Sequence, residues 1–87
     1  MDVYKIFIKT SAKKELKNIP KNHLKKIMEK IEPLAKNPRP NGVVKLSYEE
    51  KYRIHQGDYR IIYSIKDHEL IIFVVKGAHR KNVYRSC

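Results

Sequence analysis

The chain of 87 residues has little of what marks a secreted, disulfide-linked or membrane-spanning protein. Its one cysteine, Cys87, excludes an internal disulfide and a cysteine-based metal cluster. The longest apolar run, residues 70–75, is far shorter than the roughly 20 residues that cross a bilayer. The first residues lack the charged-then-apolar layout of a signal peptide. These absences favour one small domain, spanning residues 1–87, that is cytoplasmic and does not enter a membrane.

Acidic residues are scarce as well. The chain has nine Asp and Glu residues and 20 Lys and Arg residues, which gives a net charge of +11. A charge of this size attracts polyanions at long range, and contacts to phosphates give affinity that depends on salt. Nucleic acid, an acidic protein and an anionic membrane all fit the charge, as does a solvated basic surface without a ligand. We favour a polyanionic partner.

The apolar pattern predicts the order of the secondary structure. Alternation over residues 3–8 indicates a strand, and Thr10 or Ser11 can cap the helix that follows. A second helix starts near residues 20–22, and Pro33 should end or kink it near Glu32. A loop at residues 37–42 precedes four strand-like segments: 43–48, 51–56, 59–65 and 69–76. The order β-α-α-β-β-β predicts an α+β fold in which an N-terminal strand and a helical hairpin pack on an antiparallel β-sheet.

The hairpin around Gly57 can be placed in register from the sequence. A two-residue turn at Gly57-Asp58 pairs His55 with Arg60 and Ile54 with Ile61. Three tyrosines, Tyr52, Tyr59 and Tyr63, then face the core, and the opposite face carries Lys51, Arg53, His55, Arg60 and Ser64. Like charges that lie side by side on a sheet repel, so a bound anion would stabilise them. The alternative is that they fan into solvent on an uncovered face.

A second basic and aromatic segment, residues 77–85, follows the last strand. Beside the hairpin it would bring guanidinium, imidazole and phenol groups together. This set suits cleavage of RNA by its own 2′-hydroxyl, which needs a base, cations for the developing charge and a proton donor for the leaving oxygen. The sequence shows no carboxylate cluster of the kind that binds metal, so we expect neither metal nor cofactor.

Three segments together resemble the RelE/ParE toxin superfamily. Residues 52–63, Tyr-Arg-Ile-His-Gln-Gly-Asp-Tyr-Arg-Ile-Ile-Tyr, are similar to the central hairpin of that superfamily. Gly77, His79-Arg80 and Val83-Tyr84 resemble its closing element, and residues 34–40 with Lys45-Leu46 resemble its helix exit and second strand. The similarity covers essentially the whole chain in the right order and favours the RelE branch.

The resemblance implies a toxin of a type II toxin–antitoxin pair. RelE-like toxins enter the ribosomal A site and cut the mRNA there, leaving a 2′,3′-cyclic phosphate without the help of a metal. An acidic, partly disordered antitoxin neutralises them. The two proteins together repress their own operon, so contact with operator DNA is expected only through the antitoxin complex.

The resemblance also implies roles for single residues. Arg60 matches the arginine that contacts the scissile phosphate, Arg80 the one that stabilises the transition state, and Tyr84 the tyrosine that orients the base. Where a well-known RelE toxin has two lysines, this chain has Arg53 and His55. Arginine does not release its proton, so His55 is the candidate for proton transfer, alone or shared with His79. The residues expected to contact RNA are Arg53, Lys45, Lys51, His79 and Lys81.

Two other functions stay open from the sequence. A ParE-like toxin would inhibit DNA gyrase and cut no RNA, and a non-toxic homologue would only bind antitoxin or the operator complex. The retained Arg60, Arg80 and Tyr84 favour the nuclease, whereas the missing lysine pair favours the gyrase inhibitor. His23 and His68 are expected to lie on the surface.

Overall fold

The computed structural model describes residues 3–46 and 51–79. These ranges form β1 (Lys5–Ile8), α1 (Thr10–Lys17), α2 (Lys21–Ile31), a 3-10 helix (Glu32–Ala35), β2 (Val44–Lys45), β3 (Lys51–Gln56), β4 (Tyr59–Lys66) and β5 (Ile71–His79). The predicted α+β class is confirmed, and four strands follow the helices, one more than in the predicted order β-α-α-β-β-β. None of the described helices is long and apolar enough to span a membrane.

The five strands form one sheet in the order β1-β5-β4-β3-β2. The pairs β2–β3, β3–β4 and β4–β5 are antiparallel, as predicted. The pair β1–β5 is parallel, with Phe7 opposite Phe73, so the sheet is mixed. The sequence pattern did not show this, because alternation reveals which segments are strands but not which strands become neighbours.

Proline residues, rather than side-chain caps, mark the two ends of α2. Pro20 immediately precedes α2, and α2 gives way to the 3-10 helix that contains Pro33, as predicted. The prediction that Thr10 or Ser11 caps α1 is wrong, because Lys9 is the N-cap and no side chain caps the helix. The backbone N–H of Lys9 still donates to Val74 of β5 at 3.0 Å, so the chain leaves the sheet and enters the helix without an intervening turn.

The hydrophobic core lies between the two helices and one face of the sheet. Tyr63, Ile61, Ile72 and Val74 from the sheet are fully buried there, against residues that include Ile27 of α2. Two of the three predicted core tyrosines are buried, and Tyr59 packs at the margin of the core. We call this side of the sheet the helix face and the opposite side the outer face.

A polar cluster ties the loop after the 3-10 helix to the far end of the sheet. The Arg39 guanidinium donates to Asp67 Oδ2 at 2.9 Å and to the Tyr52 hydroxyl at 2.8 Å, and the Tyr4 hydroxyl donates to Asp67 Oδ1 at 2.8 Å. The hydrogen bonds from Arg39 are the main cause that lowers the pKa of Asp67 to about 2. This cluster therefore holds β1, the loop and the β4–β5 turn together while Asp67 is ionised.

The lowered pKa of Asp67 predicts a specific loss of stability in acid. A carboxyl group with a folded pKa near 2 and an unfolded pKa of about 3.9 stabilises the fold above pH 4, and this contribution disappears as the pH falls toward 2. The variant Asp67→Asn should therefore unfold at a lower temperature than the wild type at pH 7 and at nearly the same temperature at pH 2. Thermal unfolding followed by circular dichroism measures both. A difference that stays constant over this range would contradict the ion pair.

Candidate cationic site on the outer face

The β3–β4 hairpin has the register predicted from the sequence. Gly57 has a φ of 59°, whereas Asp58 is not among the described residues with positive φ, as expected for a two-residue turn with glycine first. His55 pairs with Arg60, and Ile54 pairs with Ile61. Because side chains alternate along a strand, this register sends the isoleucines into the core and the two basic residues to the outer face.

The basic side chains of the hairpin gather on that face as predicted. Arg53 and His55 follow each other at two-residue spacing along β3, and Arg60 lies directly across from His55 on β4. Cα atoms of such directly paired residues lie about 4.5–5.5 Å apart, so the guanidinium and imidazole groups can act on one ligand. Farther from the turn, Lys51 pairs with Ser64 on the same face.

Arg60 is half-buried and held by its own hairpin. Its Nη1 donates to the carbonyl oxygens of Gly57 and Tyr59, both at 3.2 Å. Its Nε–H is buried and finds no hydrogen-bond partner among residues 3–46 and 51–79. A buried donor without an acceptor is costly, so an anion that reaches this guanidinium would gain a strong, charge-assisted hydrogen bond.

His55 has an exposed ring on a strand that is fixed from behind. The ammonium group of Lys30 on α2 donates to the His55 carbonyl oxygen at 2.9 Å, which ties the end of β3 to the helix. His55 also borders a cleft of about 380 Å³ between α2, β3 and the loop that contains Pro40. The imidazole is therefore accessible to a ligand, while its backbone is anchored.

The structure separates two predicted site residues from this group. His79 pairs with Tyr59 and packs edge-on against its ring, with centroids 5.7 Å apart, so it lies on the helix face. Lys45 pairs with Tyr52 and lies on the helix side as well. The expectation that His79 joins His55 beside Arg60 is wrong, because the residue opposite Arg60 on β5 is Ala78.

A β-bulge explains the position of His79. Tyr63 pairs with Val74, but Ile62 pairs with Lys76, so Val75 is an extra residue in β5. Such a bulge shifts the alternation by one residue. Phe73 and Val75 face outward before it and Ala78 after it, whereas unbroken alternation would have turned His79 outward.

Sequence reasoning missed two features near the site. Lys30 was not singled out, because nothing in the sequence shows which strand end a helix residue will reach. His23 was expected on the surface, but it is half-buried and its ring lies 5.2 Å from that of Tyr59. His68 is exposed as expected. Three predicted site residues, Arg80, Lys81 and Tyr84, lie outside the described residues.

The described part of the chain has no group of three or more His, Cys, Asp or Glu side chains placed to hold a metal ion. The described basic residues of the hairpin can attract an anion and stabilise developing negative charge, and His55 can transfer a proton. This combination of charges suits an anionic ligand.

Comparison with known proteins places the chain in a family. The family described as the ParE toxin of the type II toxin–antitoxin system parDE matches residues 6–84. A curated RelE1 protein of Methanocaldococcus jannaschii, described as a candidate toxin, is 32% identical over 77 residues, 84% of this chain and 86% of that protein.

Solved structures agree with this assignment. The RelE–RelB complex from Pyrococcus horikoshii superposes with a TM-score of 0.77 at 27% identity, covering 90% of this chain and 96% of that one. The isolated E. coli RelE toxin has the same fold, with a TM-score of 0.78 at 22% identity over 95% and 93% of the two chains. The fold is thus that of the small toxins of type II toxin–antitoxin systems. The chain belongs to the RelE/ParE toxin superfamily and is RelE-like.

The turn at Gly57 yields a test of how the site is held. A residue with a side chain is strained at a φ of 59°, although a Cβ there would meet no atom within 4 Å. Gly57→Ala should therefore lower the free energy of unfolding by about 1–2 kcal/mol. Gly57→Asn should lower it less, because asparagine adopts positive φ more readily. Chemical denaturation measures both, and equal stability of Gly57→Ala and the wild type would contradict the strained turn.

Proposed function

We propose that this toxin is a ribosome-dependent endoribonuclease that cuts mRNA in the ribosomal A site by attack of a 2′-hydroxyl on the neighbouring phosphorus. The observation that carries the proposal is the pairing of Arg60 with His55 on the outer face, with Arg53 two residues along the same strand. It is a compact cationic site that contains an imidazole, a group able to accept or donate a proton.

Arg60 provides the charge for this reaction. When the 2′-oxygen attacks, the phosphorus becomes five-coordinate and its non-bridging oxygens gain negative charge. A guanidinium already fixed by two backbone carbonyls stabilises that charge with little reorganisation. The bond to the 5′-oxygen then breaks, which leaves a 2′,3′-cyclic phosphate on one fragment and a 5′-hydroxyl on the other.

His55 is the candidate for moving the protons. The attacking 2′-hydroxyl must lose a proton, and the leaving 5′-oxygen must gain one. An exposed imidazole on an anchored strand can accept the first or donate the second. Arg53 keeps its proton, so we assign it, with Lys51, to binding the RNA backbone. By the resemblance, Arg80 stabilises the transition state and Tyr84 orients the base.

The proposed partners follow from charge and family. Relatives from Pyrococcus horikoshii and Mycobacterium tuberculosis were solved as RelE–RelB and RelBE2 toxin–antitoxin complexes. We propose that an acidic antitoxin likewise neutralises this chain, whose net charge is +11. The ribosome and mRNA are the proposed targets in the cytoplasm, and operator DNA is reached only through the antitoxin complex.

A second candidate function is inhibition of DNA gyrase. The match to a family described as the ParE toxin favours it, as does the absence of two lysines at Arg53 and His55. A gyrase inhibitor would leave mRNA intact and block supercoiling, so the two candidates give opposite results in two assays.

The Arg60→Ala variant tests the nuclease directly. Primer extension on an mRNA held in a ribosome stalled at a known codon should show cuts within the A-site codon, and free mRNA should remain intact. Arg60→Ala should reduce the cleavage rate by about 10²–10³, because it removes the guanidinium proposed to contact the scissile phosphate. Lys25→Ala, which removes an exposed cation from α2, should cleave like the wild type. Intact mRNA together with inhibited supercoiling would replace this proposal with the gyrase reading.

The role of His55 has a test of its own. His55→Ala should reduce the cleavage rate by about 10²–10⁴, because it removes the group proposed to transfer the protons. His68→Ala is the matched control, since that histidine is also exposed but lies at the β4–β5 turn. If His55→Ala cut the ribosome-bound mRNA as fast as the wild type, proton transfer by His55 would be ruled out.

A further inference from the structure

The outer face continues beyond the cationic site into a second surface that the proposed reaction does not use. One straight row of side chains crosses the sheet there: Phe7 pairs with Phe73, Phe73 with Ser64, and Ser64 with Lys51. Phe7 is 46% exposed, and the centroids of the two phenyl rings lie 5.7 Å apart. Two aromatic rings are thus presented at the surface beside a polar and a basic side chain.

A groove of about 520 Å³ runs along this row, and none of its lining residues within the described part of the chain is acidic. Its lining comprises Lys9, Lys51, Ser64, Lys66, Phe73 and Val75. Three lysines around aromatic and aliphatic side chains are the composition of sites for single-stranded nucleic acid, in which bases stack on rings and ammonium groups meet phosphates.

The rows of the outer face relate this groove to the cationic site. Along β4, Ser64 of the groove row lies four residues from Arg60, which corresponds to about 13 Å of strand. Between them, Ile62, Ala78 and Val75 form a small apolar floor. The two regions are therefore parts of one continuous surface.

The outer face carries a row of basic side chains and, beside it, a pair of aromatic rings. Basic side chains follow β3, where Lys51, Arg53 and His55 recur at two-residue intervals of about 6.6 Å. The aromatic rings lie to one side, on β1 and β5. A single strand that runs parallel to β3 would keep its backbone on the row of basic side chains and turn its bases toward the rings.

We propose that the Phe7–Phe73 groove is a subsite for single-stranded RNA, in which bases on one side of the scissile phosphate stack on the two phenyl rings and the groove lysines hold the backbone. This inference rests on the proposed function in one respect, which is where the groove lies relative to the phosphate that is cut. RNA suits it better than an acidic peptide, because an amphipathic peptide needs an apolar stripe, whereas this row changes from aromatic to basic across the sheet.

The test measures binding of the purified full chain to a 2′-O-methyl oligonucleotide of ten adenosines by fluorescence anisotropy. This probe cannot be cleaved, so the result does not depend on nuclease activity. Phe7→Leu keeps an apolar side chain but loses the flat ring, and should weaken binding about tenfold. Phe7→Tyr keeps the ring and should bind like the wild type. Lys9→Ala and Lys66→Ala should each reduce the dependence of binding on salt, whereas Lys25→Ala should not.

Two outcomes would overturn the subsite. No binding of the probe, or equal binding by the wild type, Phe7→Leu and Phe7→Tyr, would remove it. The chain is also tested with an acidic Glu/Leu-rich peptide. If peptide binding depends on Phe7 more strongly than oligonucleotide binding does, the groove is reassigned to a protein partner. If Arg60→Ala loses cleavage but still binds the probe in a Phe7-dependent way, the result supports the subsite. If the wild type does not cleave mRNA but shows the same binding, only the nuclease proposal is overturned.

Discussion

The register of the β3–β4 hairpin is the constraint on which the rest of the site depends. A turn of two residues, with Gly57 at positive φ, sets His55 against Arg60 and Ile54 against Ile61. A slip of one residue would turn every side chain of one strand to the other face, burying cations and exposing isoleucines. The buried isoleucines therefore hold the register, and the register holds the cations together.

The helices make this arrangement possible by occupying only one face. α1 approaches β5 so closely that a Cβ on Gly77 would lie 2.7 Å from Leu16 Cδ2, and Glu15 pairs with Lys76 at 2.9 Å. These contacts lie beside the bulge at Val75, which shifts the register by one residue and sets Ala78 opposite Arg60. A small residue there leaves the Arg60 guanidinium room to meet a ligand.

The sequence was sufficient for the features that depend on local chemistry. Alternation and the Gly57-Asp58 pair predicted the hairpin pairs and the residues of the cationic face, and proline marked the ends of α2. It was insufficient where distant segments meet. The parallel β1–β5 pair, the Arg39–Asp67 contact and the reach of Lys30 to β3 depend on tertiary packing. The bulge in β5 has no glycine or proline at Val75 to mark it, so the sequence did not show that His79 pairs with Tyr59 on the helix face.

In the proposed reaction, the cationic face promotes attack by the 2′-hydroxyl of the RNA itself. The most direct measurement uses an mRNA with a single 2′-deoxynucleotide at the position of the cut, held in the A site of a stalled ribosome. The wild-type protein should leave this strand intact and cut the all-ribose strand to a fragment ending in a 2′,3′-cyclic phosphate. Cleavage of the deoxy-substituted strand at the same bond would rule out attack by the 2′-hydroxyl.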